Sequence, residues 1–235
     1  MFHNPAMNPN AIDEVKTPCL AAGFDGAFDR QGAYRRQLLR RAQSLMCSHL
    51  LALLVCLCGL LLARFAQASE LADKLQQPGY ALLMRHALAP GVGDPAGFSL
   101  QDCASQRNLN GEGRHQAVRI GQWLRQQGLS RAQVLTSPWC RCKETAQLLG
   151  LGDAAVEPAL ASFFEDSQRG PEFTRRLQQR LALASQTKGN PALVLVTHHV
   201  NILAYMGENV GSGDMVLVQF DAQGKLLNAK RFASP

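Results

Sequence analysis

The sequence predicts an α/β domain built on a largely parallel sheet. Short apolar runs alternate with stretches of helical periodicity through most of the chain after residue 68. Two of these runs, Ala81-Leu82-Leu83-Met84 and Ala192-Leu193-Val194-Leu195-Val196, are apolar throughout, the pattern of strands covered on both faces. Each run stops on histidine, the first in Arg85-His86 and the second in Thr197-His198-His199. Ligands of open α/β sheets sit outside the carboxyl ends of the strands, so residues arriving there share one crevice. Taken singly, a histidine after a strand is ordinary loop chemistry. Two of them, one behind a guanidinium, make a place suited to phosphate.

The elements follow in order. Residues 71–77 form a short helical lead-in that Pro78-Gly79 breaks, and Tyr80–Met84 is the first strand. Residues 87–110 are a long Gly- and Pro-bearing connection, a kind more often functional than idle. Gly111–Gln127 is a helix with Ala117, Ile120 and Leu124 on one face, capped by Asn110 and ended by Gly128. Gln133–Thr136 is the second strand. A helix over 138–149 follows, with Ser137 as its N-cap, Pro138 at its first position and Gly150 at its end. Residues 154–157 hold a short strand around Val156. Glu172–Ala184 is a helix with Phe173, Leu177, Leu181 and Ala184 at helical spacing, and Ala192–Val196 is a buried strand. Met215–Phe220 and Leu226–Phe232 flank Asp221-Ala222-Gln223-Gly224 as a terminal hairpin. There is no internal repeat and no low-complexity tract.

Not all 235 residues belong to this domain. Leu50–Ala63 is a 14-residue stretch without charge, preceded by Arg35, Arg36, Arg40 and Arg41 and followed by Ala66-Gln67-Ala68. A basic flank, a short apolar core and a small-x-small site are the layout of a secretory signal peptide. The stretch is shorter than the roughly 18–20 residues that span a bilayer. Residues 44–68 are therefore expected to be a signal peptide cleaved after Ala68, placing the protein in the periplasm or otherwise outside the cytoplasm. The alternative is an uncleaved membrane tether through residues 44–63, since 44–49 lengthen the apolar run. Residues 1–43 are polar and aperiodic and read as a disordered extension, with Met46 an alternative start.

Residues 69–235 leave 167 residues, enough for one domain with a proper core. Their net charge is +3 against +6 for the whole chain, so much of the basic balance lies in the leader. No Lys/Arg-rich run with interleaved aromatics appears, which argues against nucleic acid. Three cysteines follow the leader, Cys103, Cys140 and Cys142. They are too few for a regular zinc site, and an exported domain permits a structural disulfide between Cys103 and either of the others.

Ser137-Pro138-Trp139-Cys140-Arg141 puts a cation in the first turn of a helix, where the dipole disfavours it. An arginine there makes sense if a phosphate is bound jointly by backbone N–H groups and the guanidinium. Thr145, one turn on, lies on the same face and can support the loop. Arg107-Asn108-Leu109 and Gly113-Arg114-His115-Gln116-Ala117 complete the pattern.

These segments resemble the histidine phosphatase superfamily, the phosphoglycerate mutase-like group. Arg85-His86-Ala87 resembles its Arg-His-Gly motif, with alanine in place of glycine. Leu109 to Ala117 matches Leu-x-x-x-Gly-x-x-Gln-Ala, Ser137 to Ala146 matches Ser-Pro-x-x-Arg-x-x-x-Thr-Ala, and Val194 to His198 matches the closing strand and histidine. The matches run in family order from Tyr80 to Leu203. The resemblance implies a phosphoglycerate mutase-like three-layer α/β/α sandwich with a mostly parallel central sheet, working without metal or organic cofactor.

It also implies roles. His86 would be the nucleophile that forms a phosphohistidine, kept neutral by adjacent Arg85 and Arg141. Those arginines, with His198 and Arg107, would bind the phosphoryl oxygens. The family takes its acid from a variable segment; Glu165 is the candidate here, with Asp166 as the alternative, while Glu157 and Glu172 lie within regular elements. His199 and His115 read as bystanders. The 112 residues from His86 to His198 leave little room for the insertions of specialised mutases. The expected function is therefore a phosphomonoester or phosphohistidine hydrolase of the cell envelope. Its partner would be a phosphorylated small molecule, such as an envelope sugar phosphate, or a phosphohistidine protein. The alternatives are a phosphomutase of the same superfamily and a non-catalytic phosphate- or glycan-binding module.

Overall fold

In the computed structural model the described residues are 70–186 and 191–235, together with Arg35, Leu38, Leu39, His49 and 53–56. The last eight belong to the first of two units, residues 1–58, where they are helical and exposed. The disordered extension, the rest of the leader and its cleavage point lie outside the described residues. Among the described residues no helix is long and apolar enough to cross a membrane.

In the second unit, residues 59–235, six strands form one sheet in the order β3-β2-β4-β1-β5-β6. They are β1 (Tyr80–Arg85), β2 (Gln133–Thr136), β3 (Ala154–Val156), β4 (Leu193–Thr197), β5 (Met215–Phe220) and β6 (Leu226–Phe232). The β3-β2, β2-β4 and β4-β1 pairs are parallel, and the terminal hairpin adds β5 and β6 antiparallel. The helices are α1 (residues 70–75), α2 (Gly111–Gln126), α3 (Cys140–Leu149), α4 (Gly170–Ser185) and α5 (His199–Met206).

The continuous apolarity of β1 and β4 is explained by a core on each face of the sheet. Successive side chains of a strand point to opposite faces. Leu82, Met84, Val194 and Val196 pack with Leu75 of α1, Leu124 of α2 and Leu149 of α3. Ala81, Leu83, Leu193 and Leu195 face the other way, onto Leu177 and Leu181 of α4 and Ile202 of α5. This is the expected three-layer sandwich with a mostly parallel sheet.

Most boundaries agree with the expectation, and the differences have causes. β1 and β4 each run one residue further, because Arg85 and Thr197 still pair in register. Helix α3 begins at Cys140 rather than 138, and its cap residue Trp139 makes no side-chain cap bond. Ser137 is not the N-cap; its Oγ lies 2.8 Å from Nε2 of His198. Helix α5 was not expected from the sequence. It starts directly after the strand, with His198 at the cap and no capping side chain.

The Leu109–Ala117 segment is a structural clamp. Asn110 caps α2 by accepting from the Gly113 N–H at 2.8 Å. A Cβ on Gly113 would stand 2.0 Å from the Leu88 carbonyl oxygen, so only glycine lets the residues after His86 cross the helix this closely. Gln116 accepts from the Leu88 N–H at 2.8 Å and donates to the Ser212 carbonyl and the Ser234 hydroxyl. The helix thus holds the chain that leaves β1.

Cys103 pairs with Cys140, deciding between the two possible partners, with Cα atoms 5.7 Å apart. Cys142 is buried against β4, its thiol toward the Thr197 carbonyl, and burial pushes its pKa up to about 12. The disulfide closes a loop of 37 residues, from the 87–110 connection to the first residue of α3. Replacing both cysteines (Cys103→Ser with Cys140→Ser) should lower unfolding stability by about 2–4 kcal/mol. Urea denaturation checks this, and an unchanged midpoint would show that the bridge constrains nothing.

Candidate active site

The carboxyl ends of β1 and β4 open into a cleft of about 460 Å³. Arg85 and His86 enter it from β1, His198 and His199 from β4, Arg141 from α3, and Arg107 from the end of the long connection. The residues singled out in four separate segments are brought to one place. His115 is not among them; it is exposed on α2. His199 also lines the cleft, its ring 5.6 Å from that of Phe164.

His86 is 1% exposed, and its backbone N–H donates to the Thr197 carbonyl at 3.0 Å. Its Nδ1 lies 2.7 Å from the Ala87 carbonyl oxygen, which can only accept, so the ring proton belongs on Nδ1. Nε2 is left with its lone pair. Burial first, then Arg141, Arg85 and Arg107, hold the imidazole well below its ordinary pKa of 6.5. The loop that aims this ring is fixed from α3. The Ala87 N–H donates to the Thr145 hydroxyl at 3.1 Å, and that hydroxyl donates to the Arg141 carbonyl at 2.7 Å. Thr145 therefore supports the loop, as its spacing suggested.

His198 is 2% exposed, with its ring centroid 5.5 Å from that of His86. A guanidinium only donates, so Nη2 of Arg141, 3.5 Å from Nδ1, makes Nδ1 an acceptor. The ring proton then lies on Nε2 and is donated to Ser137. Burial, with His86 and Arg141 nearby, holds His198 neutral too, well below 6.5.

Arg141 is buried at the start of α3, but its neighbours differ from the expected helix-terminus site. The Cys140 N–H donates to Oε1 of Gln106 at 2.9 Å, so that helix amide is already satisfied. Nη1 of Arg141 donates to both oxygens of Asp94, at 2.8 and 3.1 Å. Asp94 also accepts the Arg107 N–H and the Trp139 indole N–H, each at 3.0 Å. Burial opposes its charge, yet the Arg141 hydrogen bond and these N–H groups hold its carboxyl below the usual range. Asp94 was not singled out in the sequence, where Gly93-Asp94-Pro95 looks like a turn.

Arg107 braces the long connection from within: Nε donates to the Gly93 carbonyl at 2.8 Å and Nη1 to the Ala89 carbonyl. It still lines the cleft. Arg85 donates from Nη1 to the Val210 carbonyl at 2.8 Å. Nε of Arg85 and Nε of Arg141 are buried with no partner, donor capacity not spent within the protein. Glu165 and Asp166 also line the cleft. Glu165 packs over Gly93, where an added Cβ would stand 2.9 Å from its Oε1. Asp166 precedes a single 3₁₀ turn without capping it. Glu157 and Glu172 are occupied elsewhere, by Arg180 and by Arg176.

The arrangement offers an imidazole with a free Nε2, a second imidazole, the guanidiniums of Arg85, Arg107 and Arg141, and the carboxyl groups of Glu165 and Asp166. That set suits transfer of a phosphoryl group to nitrogen. Several solved structures are similar in fold. The protein histidine phosphatase SixA complexed with tungstate is 20% identical (TM-score 0.47), covering 66% of this chain and 97% of that one. A mycobacterial glucosyl-3-phosphoglycerate phosphatase complexed with VO3 is 14% identical (TM-score 0.48), with the same coverage. Phosphoserine phosphatase from Entamoeba histolytica is 15% identical (TM-score 0.45), covering 63% and 93%. No curated protein is recognisably similar in sequence. Residues 82–162, which carry Arg85, His86, Arg107 and Arg141, match the model of the histidine phosphatase superfamily (branch 1).

Proposed function

We propose that the protein hydrolyses phosphomonoesters or phosphohistidine through a covalent phosphohistidine at His86. The observation that carries this reading is the 2.7 Å contact of Nδ1 with the Ala87 carbonyl, which leaves Nε2 unprotonated on a ring that lines the cationic cleft. Nε2 attacks phosphorus as the bond to the leaving oxygen breaks, and Arg85, Arg107 and Arg141 stabilise the charge on the equatorial oxygens. His198, its ring 5.5 Å from that of His86, stands beside the same phosphoryl group and accepts from Nη2 of Arg141. Glu165 gives its proton to the leaving oxygen, then takes one from the water that attacks phosphorus and breaks the P–N bond. Glu165 is preferred to Asp166 because its Oε1 packs against Gly93, itself part of the cleft lining.

A cleft of about 460 Å³ accommodates a leaving group well beyond phosphate itself, so a phosphorylated small molecule such as a sugar phosphate suits it. Export through residues 44–68 is part of the same reading, supported by the Cys103–Cys140 bridge, since disulfides persist in oxidising compartments. N-terminal sequencing of the membrane-free fraction is expected to find Ser69. An intact leader in the membrane fraction would contradict cleavage.

Full-length protein assayed with p-nitrophenyl phosphate should turn over, and His86→Ala should reduce the rate to background. Equal hydrolysis by both proteins would sink the catalytic reading, and phosphate binding without turnover would favour a binding module. Glu165→Gln should lower kcat by about 10²–10⁴-fold on substrates with poor leaving groups. An equal loss in Asp166→Asn instead would move the acid by one residue.

Both buried imidazoles have folded-state pKa values depressed from 6.5, so the unfolded chain binds more protons below that pH. Their contribution to stability is complete above pH 6.5 and is lost as the pH falls toward their folded values. Denaturation midpoints should therefore drop on acidification below pH 6.5, less steeply in His86→Asn. An identical slope in the variant would show that His86 is not held neutral.

A further inference from the structure

Nothing in the phosphoryl chemistry above uses Asp94. It lies in the long connection, yet its side chain is 5% exposed and receives four hydrogen bonds. Bringing a loop carboxylate out of water is costly unless its partners are well placed. Here the principal partner is Arg141, itself 3% exposed. Two consequences follow from the geometry. First, with Nη1 held on both carboxylate oxygens, the planar guanidinium has one orientation, and that orientation turns Nη2 to Nδ1 of His198. Second, four guanidiniums line the cleft; Arg169 is turned to Glu172 and the Phe173 ring, and of the other three, Arg85, Arg107 and Arg141, Asp94 cancels the charge of one. Uncancelled, they would hold product phosphate as well as the transition state, and uniform binding of that kind does not raise kcat. A role as proton donor does not suit Asp94, because all its contacts are donors that favour the ionised form.

We propose that Asp94 is a positioning residue for the phosphatase reaction. It fixes the Arg141 guanidinium through Nη1, with Nη2 held on His198, and it offsets one positive charge so that inorganic phosphate leaves. The inference rests on the phosphatase reading given above.

The test compares the full-length protein with Asp94→Asn and Asp94→Glu, measuring kcat and KM on p-nitrophenyl phosphate and the Kd of inorganic phosphate by calorimetry. Asp94→Asn should bind phosphate about tenfold more tightly, the order expected for removing one nearby charge. Its KM and kcat should both fall. Asp94→Glu keeps the charge but displaces the carboxylate, so phosphate Kd should stay at the wild-type value while kcat falls. A merely structural role predicts weaker phosphate binding in both variants. Unchanged or weaker binding by Asp94→Asn would overturn the proposal, as would equal tightening by Asp94→Glu. Asparagine sets an N–H₂ against a donor and can fail to fold; Asp94→Glu then decides alone, wild-type Kd with lowered kcat supporting the proposal and an altered Kd overturning it. Wild-type protein that neither binds phosphate nor hydrolyses the ester overturns the phosphatase reading and this inference together.

Discussion

The hydrogen bond from the His86 N–H to the Thr197 carbonyl closes the parallel ladder between β1 and β4 at its carboxyl end. That ladder pairs Met84 with Val196 and Arg85 with Thr197, so the next residues of both strands, His86 and His198, emerge side by side. A slip of one residue would exchange the two faces of β1, sending Leu82 and Met84 to the core of Ala81 and Leu83. The register is therefore enforced by burial on both faces, and the imidazole pair inherits its spacing from the sheet. Loops alone would not hold two rings 5.5 Å apart with this accuracy.

Around that joint the molecule spends its polar groups on orientation. Ala87 is held by Thr145, Leu88 by Gln116, and Arg141 by Asp94. Each tie runs from the segment after β1 to α2 or α3. The disulfide adds a covalent link between the same two regions, from Cys103 to the residue before Arg141. Burial and guanidiniums together depress the histidines, and the same guanidiniums are what an incoming phosphoryl group needs. In the proposed reaction one arrangement would thus supply both the neutral nucleophile and the anion site. The Asp94 carboxylate moderates the charge that makes both possible.

Much of this was legible in the sequence. The hairpin strands Met215–Phe220 and Leu226–Phe232 and strand Gln133–Thr136 end where turn residues and periodicity end, because their limits are local. The site residues were legible because strand ends of an α/β sheet converge. What was not legible depends on distant partners. Ser137 looks like a cap but bonds His198, 61 residues away. Asp94 looks like a turn residue but bonds Arg141, 47 residues away. Helix α5 carries no capping side chain and is held by Ile202 and Tyr205 against the second core, which no local pattern announced. The choice of Cys140 over Cys142 was settled by helix geometry, since two residues apart on α3 one thiol faces the connection and the other faces β4.

The proposed reaction requires that phosphorus become bonded to Nε2 of His86. Phosphoramidates survive alkali, so the direct measurement is an alkaline quench of the wild-type protein during turnover of a phosphomonoester, followed by peptide mass spectrometry. One phosphoryl group is expected on the peptide bearing His86, formed within the first turnover and lost when substrate is exhausted. Steady turnover with no phosphoryl group on the protein, or with one on a residue other than His86, would contradict the proposed reaction.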